Sequence, residues 1–296
     1  MLNDKDYDDF LAAGKLAGRA RDYGAKLIKV DASLEEVTDA VEEFIIENGG
    51  QMAFPAQLSR NQIAAHYCAG KDDPMKFEKG DLVKLDVGVH IKGMIGDTAI
   101  TVDLGRNESL LNASKEALAN AIKMLEPGIE NGIIGKEIEK TITGYGFSPV
   151  NNLSGHGLGK FQIHTKPSIP NFYSGDTFRI EPGTTFAIEP FASAGAGYVV
   201  EGHDAEVFGL EQIKPVRSPI TRNVLSEIRK YNGLPFCGRW LANKFGKPRV
   251  NFALRELMNI DSVRMYPPLS DRNNGFVSQH EHSVLMEEDK AIITTK

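Results

Sequence analysis

Residues 82–103 read LVKLDVGVHIKGMIGDTAITVD, and this stretch decides the fold because its pattern predicts a β-hairpin. The first half alternates between apolar and polar positions, so one face of the predicted strand carries Val83, Leu85, Val87 and Val89. Asp86 lies on the opposite, polar face. Lys92 and Gly93 give a turn signal, and a hairpin centred there brings Asp97 of the second strand roughly opposite Asp86.

The two aspartates of this hairpin would share one small space. Carboxylates that lie so close raise each other's pKa, so the pair persists either half protonated or neutralised by cations. A site for two metal ions is the second of these solutions. The alternative is that each aspartate only decorates a solvated face of the sheet, and the hairpin alone does not decide between the two.

The composition of the chain is that of a globular protein. Its 296 residues, 41% of them hydrophobic, are enough for one large domain or two ordinary ones. No apolar run reaches about 18 residues, and the first ten residues, MLNDKDYDDF, are acidic where a signal peptide would be basic and then apolar. Cys68 and Cys237 are far apart in sequence and do not indicate a disulfide framework, which favours the reducing cytoplasm. The sequence therefore predicts a cytoplasmic protein, and the lack of a long apolar run predicts that it has no membrane segment.

Charge is distributed unevenly along the chain. The net charge of -6 argues against a general nucleic-acid binder. Between Gln212 and Val250, however, nine basic residues accompany one acidic residue, Glu227, which gives this segment a charge of +8. Such a segment is either a solvated helical face or a surface that attracts RNA.

Helical periodicity surrounds the hairpin. A first helix is predicted at residues 4–27, and a second begins after a capping box formed by Ser33 and Glu36. Two more are predicted at about 109–125 and 135–143. Three further helical patterns between residues 221 and 260 indicate a compact insertion, which we place at residues 206–262 within a single domain that spans residues 1–296.

Several other polar residues stand out in apolar or glycine-rich surroundings. His156 lies between glycines, which allow backbone and small ligands to approach closely. Glu189 follows an apolar strand pattern, TTFAI, and a buried carboxylate there requires a partner. Glu281 is flanked by His280 and His282, and on a strand its side chain faces away from both. Each of these residues could also be explained by a structural role.

Four carboxylates and one imidazole form a hard, oxygen-rich donor set of the kind that suits two divalent cations, with four negative charges against four positive ones. The stretches that carry these donors, with one pocket motif, are DVGVHIKGMIGDTAIT, SGHGLGKFQIH, FAIEPF, YPPLSD and QHEH. In this order and spacing they resemble the methionine aminopeptidases, over nearly the whole chain. The helical insertion and the spacing of His156 and His164 resemble type II, the archaeal and eukaryotic branch. Phe161, where a tyrosine is usual, and His280, where a phenylalanine is usual, depart from the family pattern.

The resemblance implies an α/β fold, the pita-bread fold, in which a pseudo-twofold, curved and mainly antiparallel sheet is backed by helices. It implies two divalent metal ions (cobalt, manganese, iron or zinc) held by Asp86, Asp97, His156, Glu189 and Glu281. A hydroxide activated by the two ions is the implied nucleophile. Glu189 is implied to shuttle its proton, His164 to steady the oxyanion and His66 to contact the substrate near the scissile nitrogen.

By the same resemblance, Phe54, Ile163 and Tyr266 line a pocket for the methionine side chain. The implied function is removal of the N-terminal methionine from nascent proteins and peptides, with a small second residue preferred. We expect a monomer.

Two other functions remain open at this stage. An Xaa-Pro aminopeptidase or dipeptidase shares the five metal ligands, but such enzymes usually have a further domain before the first ligand strand, and 85 residues precede Asp86 here. A non-catalytic relative that binds ribosomes or RNA would normally lack some of the ligands. An active enzyme could also use residues 212–250 to stay near the ribosome, where nascent chains emerge.

Overall fold

The computed structural model describes residues 4–296 of the chain. The helices in this range are Asp4–Leu27 (α1), Leu34–Glu47 (α2), Glu108–Lys123 (α3), Asn131–Gly144 (α4), Pro219–Ile228 (α5), Gly238–Phe245 (α6) and Lys247–Asn259 (α7), with one 3-10 turn at Arg229–Tyr231. The strands before residue 150 are Gln51–Met52 (β1), Gln57–Arg60 (β2), Ile63–Ala65 (β3), Leu82–Ile91 (β4), Met94–Asp103 (β5), Ile129–Glu130 (β6) and Ser148–Pro149 (β7). The remaining strands are Ser154–Gly159 (β8), Gln162–Pro170 (β9), Arg179–Ile180 (β10), Thr185–Ile188 (β11), Phe191–Ser193 (β12), Val199–Glu201 (β13), Val207–Leu210 (β14), Phe236–Cys237 (β15), Val263–Tyr266 (β16), Leu269–Asp271 (β17), Val277–Gln279 (β18), His282–Met286 (β19) and Ala291–Ile293 (β20).

The predicted hairpin is formed by β4 and β5. Lys92 and Gly93 make the two-residue loop, and their φ angles of 51° and 95° belong to the left-handed region that tight hairpin turns require. The loop fixes the register so that Asp97 pairs with Gly88, and Asp86 with Ala99. The expectation that Asp97 lies opposite Asp86 was therefore wrong by two positions. A shift of two keeps both carboxylates on one face of the sheet, as diagonal neighbours.

Two helix-backed sheets build the body of the molecule, and the strand pairs among residues 4–296 run antiparallel. The apolar face of β4 packs under α1 and α2, where the alternating valines and leucine of the hairpin are fully buried. The second sheet has the strand order β20-β19-β11-β8-β9, and α3 and α4 bury a second apolar core against this half. This confirms the α/β architecture with antiparallel sheets that the sequence predicts.

A glycine contact sets the close packing of α1 on the hairpin. A Cβ atom at Gly96 of β5 would lie 2.5 Å from the Cα atom of Gly14 in α1, which real side chains do not permit. The helix therefore lies directly on the strand that carries Asp97, and the two elements hold each other in place.

Residues 206–262 contribute a third apolar core, built largely from α5, α6 and α7. Arg239 connects this region to α2, because its guanidinium is buried and contacts Asp39 and Glu42, with 2.9 Å between Nη2 and the Glu42 carboxylate. Trp240 donates a second hydrogen bond, of 2.7 Å, to the same oxygen of Glu42. That residues 206–262 form an insertion subdomain within one domain stays a prediction.

Replacing Arg239 by methionine should destabilise the protein by about 3–5 kcal/mol, because the substitution leaves the Glu42 carboxylate buried without its cation. Burial already raises the pKa of Glu42, and Arg239 opposes that shift. Urea unfolding at pH 7 measures the loss, with Lys244→Met on the exposed face of α6 as the control. A loss below about 1 kcal/mol for Arg239→Met would show that the buried pair does not anchor this region.

The basic segment, residues 212–250, exposes less unpaired positive charge than its composition suggests. Arg239 is buried, and the side chains of Lys230 and Lys244 each lie 2.7 Å from the Glu227 carboxylate. The charge of +8 already counts Glu227, but it overstates the positive charge that the surface offers to a partner, because Arg239 is buried against Asp39 and Glu42 outside the segment.

Within residues 4–296, none of the helices combines the length and apolar character that a membrane span needs.

Candidate functional site

One cavity of about 520 Å³ brings together all the residues that the sequence predicts as metal ligands, catalytic groups and pocket residues. It is lined by Phe54, His66, Asp86, Asp97, His156, Ile163, His164, Glu189, Tyr266 and Glu281, together with ten further residues. A cavity of this size is in the range of small-molecule and peptide side-chain sites. The candidate site residues, which are spread over more than two hundred positions of sequence, therefore line one cavity.

The acidic residues reach the cavity from different strands. Asp86 and Asp97 come from the hairpin, and the backbone N–H and C=O of Asp97 both contact the Ser283 hydroxyl, at 2.8 Å each. Glu281 lies in the break between β18 and β19, where its N–H donates to the carbonyl of Ala99 at 3.0 Å. These bonds tie the hairpin to the C-terminal strand and hold the carboxylates in position.

His156 gives the clearest sign of what the site binds. Its Nδ1 atom lies 3.4 Å from the carbonyl of Gly157, so this nitrogen carries the proton and the lone pair sits on Nε2. Nε2 faces carboxylate oxygens of Glu189 and Asp97 at 3.6 and 3.8 Å, too far for hydrogen bonds. Burial lowers the pKa of His156 to about 3, so the ring is neutral at pH 7. A lone pair directed at two carboxylates is repulsive unless a cation lies between them.

The carboxylates of the cavity repel one another in the same way. Burial raises the pKa of Asp86 to about 7, and one of its oxygens is buried without any hydrogen-bond partner. Burial, and then the charges of the neighbouring acids, raise the pKa of Asp97, Glu189 and Glu281 well above the usual range. Such a group of acids needs either protons or cations.

The donor set fits divalent metal ions. Asp97, His156 and Glu281 each offer a ligand atom, and these atoms all lie within 4.8 Å of one another. Asp86 adds an unpartnered buried oxygen, and Glu189 approaches the lone pair of His156. Carboxylate oxygens with one imidazole nitrogen suit first-row divalent ions.

Two more histidines border this centre. The ring of His164 packs edge-on against His156, with 4.3 Å between the ring centres, and burial lowers its pKa. His66 adopts a φ of 68°, which is unusual for a residue with a side chain, and its N–H donates to the Gln57 side chain at 2.7 Å. Its Nδ1 atom lies 3.3 Å from the carbonyl of Pro267, so the other ring nitrogen is free to accept a hydrogen bond in the cavity.

The apolar end of the cavity depends on a glycine. A Cβ atom at Gly88 would lie 2.2 Å from the Phe54 ring, so glycine at this position lets the ring lie flat against the hairpin. Phe54 belongs to the same buried apolar cluster as Ile163, and Tyr266 lies 6.0 Å from His66, measured between ring centres.

Two polar residues were not identified from the sequence: Gln279, which contacts carboxylates of the site, and Arg264, which lines the cavity. Gln279 is 1% exposed and donates to Glu189 at 3.3 Å, and its hydrogen bond to Asp86 opposes the rise in the pKa of that carboxyl. The sequence signal that could have identified Gln279 is its position two residues before Glu281. Arg264 lines the cavity beside Tyr266, two residues away on β16, and strand alternation could have placed it there.

His280, one of the two departures from the family pattern, points away from the cavity. Its Nδ1 atom lies 2.9 Å from the hydroxyl of Ser114 in α3, and burial lowers its pKa to about 3. A neutral histidine thus fills this position and ties the strand end before Glu281 to the helix behind it.

Known proteins share this fold and much of this sequence. Metallopeptidase family M24 matches residues 8–217. The methionine aminopeptidase of Thermococcus onnurineus is 43% identical over 288 residues, which is 96% of this chain and 98% of that protein. The crystal structure of a methionine aminopeptidase from Thermotoga maritima matches with a TM-score of 0.73 and 23% identity, over 100% of this chain and 98% of that one. A thermophilic Arx1 structure matches with a TM-score of 0.84 and 16% identity, over 99% and 91% of the two chains. The pita-bread fold predicted from the sequence is thereby confirmed.

Proposed function

The chain belongs to the methionine aminopeptidases of metallopeptidase family M24, and from this membership we propose that it hydrolyses the first peptide bond of polypeptides that begin with methionine. The observation that carries the proposal is the convergence of a buried carboxylate and imidazole cluster with an apolar recess in one cavity. The cluster suits metal-assisted hydrolysis, and the recess suits an unbranched apolar side chain.

In this proposal Asp86, Asp97, His156, Glu189 and Glu281 hold two divalent ions. Four carboxylates balance the charge of two such ions, and the lone pair of His156 faces the space among the acids. Bound divalent ions supply Lewis acidity, which makes a carbonyl carbon more electrophilic and a water molecule more acidic. Cobalt, manganese, iron and zinc are all compatible with these donors.

The protein's own groups then move the proton and position the substrate. Glu189, whose role here comes from the family resemblance, accepts a proton from the attacking water at a carboxylate oxygen and delivers it to the leaving nitrogen. Burial and its acidic neighbours raise its pKa, which makes the carboxylate a stronger base, and it lies 3.6 Å from Nε2 of His156. Gln279 orients Glu189 through its 3.3 Å hydrogen bond.

The two bordering histidines act as neutral hydrogen-bonding groups. Burial lowers the pKa of His164, so at pH 7 it donates one N–H to the oxyanion of the tetrahedral intermediate without adding a charge. Burial also lowers the pKa of His66 to about 4, and its free ring nitrogen accepts the N–H of the scissile peptide bond. Phe54, Ile163 and Tyr266 enclose the methionine side chain, and the limited space beyond it favours a small second residue.

The direct test is release of the first residue from short peptides. We expect the metal-reconstituted protein to release methionine from Met-Ala-Ser, with a kcat/KM reduced at least about tenfold when leucine replaces the alanine. It should leave Ala-Pro-Ser intact. Release of alanine from Ala-Pro-Ser would instead identify an enzyme that recognises proline.

Ribosome proximity, a cytoplasmic location and a monomeric state are part of the proposal as predictions. The exposed bases of residues 212–250, Arg222 and Arg229 among them, support weak attraction to RNA. Co-sedimentation with ribosomes should then fall when Arg222, Arg229 and Lys230 are replaced by glutamine, and unchanged salt-sensitive co-sedimentation would exclude this role for the segment.

A further inference from the structure

Arg264 is a cation in the cavity wall that the proposed chemistry does not use. Arg264 and Tyr266 lie two residues apart on β16, so their side chains point to the same face of the strand, and both line the cavity. The guanidinium carbon of Arg264 lies 4.7 Å from the centre of the Tyr266 ring. The partner of Arg264 on the neighbouring strand is Gly209, which has no side chain to cover the guanidinium.

The charge of Arg264 is available to a ligand. Its side chain is 60% exposed. Its ion-pair partner is Glu211, whose side chain is 46% exposed and whose carboxylate oxygen lies 3.8 Å from the Nε atom of Arg264. Exposed pairs of this kind contribute little and exchange readily with solvent. Within the part of the chain that the structure describes, no other lysine or arginine lines the cavity.

Arg264 also lies at a defined distance from the reacting end. The centre of the Tyr266 ring lies 4.7 Å from the guanidinium carbon of Arg264 and 6.0 Å from the centre of the His66 ring. The sum of these two distances is the greatest possible separation of Arg264 and His66, and it corresponds to roughly three residues of extended chain at about 3.3 Å each. Its positive charge reaches inward, since it adds to the effect of burial in lowering the pKa of His164 and of His66.

We propose that Arg264 selects substrates by charge, binding a carboxylate that the peptide carries two or three residues beyond the methionine. The inference rests on the proposed function, because that function places the methionine in the cavity and the rest of the peptide at its mouth. The carboxylate belongs either to an acidic side chain at the third or fourth residue or to the free C-terminus of a short peptide. Arg264 is thus a specificity-determining residue that acts on binding.

The experiment compares four peptides. Met-Ala-Glu-Ser, Met-Ala-Gln-Ser and Met-Ala-Lys-Ser are used as C-terminal amides, and Met-Ala-Gln-Ser is also used as the free acid. We expect KM to be about threefold lower for the glutamate amide than for the glutamine amide, and about threefold higher for the lysine amide, with kcat unchanged, as an exposed ion pair allows. The preference should shrink in roughly 0.5 M salt, where charges are screened beyond about one contact distance.

Variants assign the effect to Arg264. Arg264→Gln should remove the preference, Arg264→Glu should reverse it, and Arg264→Lys should retain most of it. Arg272→Gln is the matched control, since Arg272 also packs over a tyrosine ring, that of Tyr198 at 4.4 Å, but does not line the cavity. This variant should behave as the unaltered protein does.

The outcomes separate the two proposals. Equal KM values for the three amides and the free acid, or a preference that survives in Arg264→Gln, would overturn the role of Arg264 while methionine release upholds the proposed function. A preference for the free acid alone, lost in Arg264→Gln, supports carboxylate binding and assigns it to peptide ends. Failure to release methionine even from the glutamine amide would instead overturn the proposed function.

Discussion

Replacement of Glu281 by glutamine should lower kcat for Met-Ala-Ser by about a thousandfold or more and leave the protein folded. Loss of a group that only supports a metal ligand already costs about 10–100-fold, and Glu281 is proposed as a ligand itself. Its side chain is 2% exposed and lies with Asp97 and His156. Glutamine preserves the shape of the side chain but removes one of the four negative charges that the cations need.

The measurement combines initial rates, metal content and circular dichroism. Bound metal per molecule should fall along with kcat, while the circular dichroism spectrum stays unchanged. Glu288→Gln, a nearby exposed position, is the control and should retain full activity. If Glu281→Gln kept activity within about tenfold of the unaltered protein, Glu281 would not belong to the catalytic centre.

The buried acids of the metal-free protein should contribute less to its stability as the pH rises from 5 to 8, and a divalent cation should restore their contribution. Burial raises the pKa of Asp86 to about 7, and burial with mutual repulsion raises the pKa of Asp97 and Glu281 well above the usual range. The folded protein therefore binds protons that the unfolded chain, with carboxyl pKa values near 4, releases. The contribution of these acids to the free energy of unfolding is highest where they are protonated and declines as the pH rises through their folded pKa values. The buried histidines contribute with the opposite sign, because burial lowers their pKa and the unfolded chain binds protons that the folded protein does not.

Thermal unfolding in EDTA, at pH 5 and at pH 8, measures this dependence. The buried histidines contribute equally to the unaltered protein and to Asp97→Asn, so the comparison of these two proteins isolates the acids. Each pKa unit corresponds to about 1.4 kcal/mol, so we expect Asp97→Asn to gain a few kcal/mol relative to the unaltered protein between pH 5 and pH 8. Manganese at pH 8 should remove this advantage, because the cations replace the protons. Equal changes in stability between the two pH values for both proteins would show that the acids do not repel one another.

The hairpin shows how far sequence reasoning reached into the fold. Alternation between apolar and polar positions identified the buried face of β4, and the Lys92-Gly93 signal identified the turn, because both are local properties. The pairing of the two aspartates was wrong by two positions, because the register depends on the exact loop length and a turn signal gives only the approximate position of the loop.

The candidate site shows what local sequence patterns could not predict. His156, Glu189 and Glu281 each had an equally reasonable structural explanation, and the order of five donors in a family pattern raised them to candidates. Their roles as ligands stay predictions. Gln279 and Arg264 carried no such pattern, since the glutamine is recognised only by the carboxylates that it contacts and the arginine only by the cavity that it lines. Which cavity that is depends on contacts between strands distant in the chain, such as β14 with β16.

The attachment of residues 206–262 through Arg239 has a consequence for how the peptide preference of the site can change. Val207, Pro235 and Tyr266, in this region or at its border, form one wall of the cavity, whereas the acidic donors come from strands outside it. In the proposed function, the part of the selectivity that depends on this wall and the acidic donors therefore come from different parts of the chain. Substitutions in this wall would therefore change the peptide preference without altering the donors on the opposite side of the cavity.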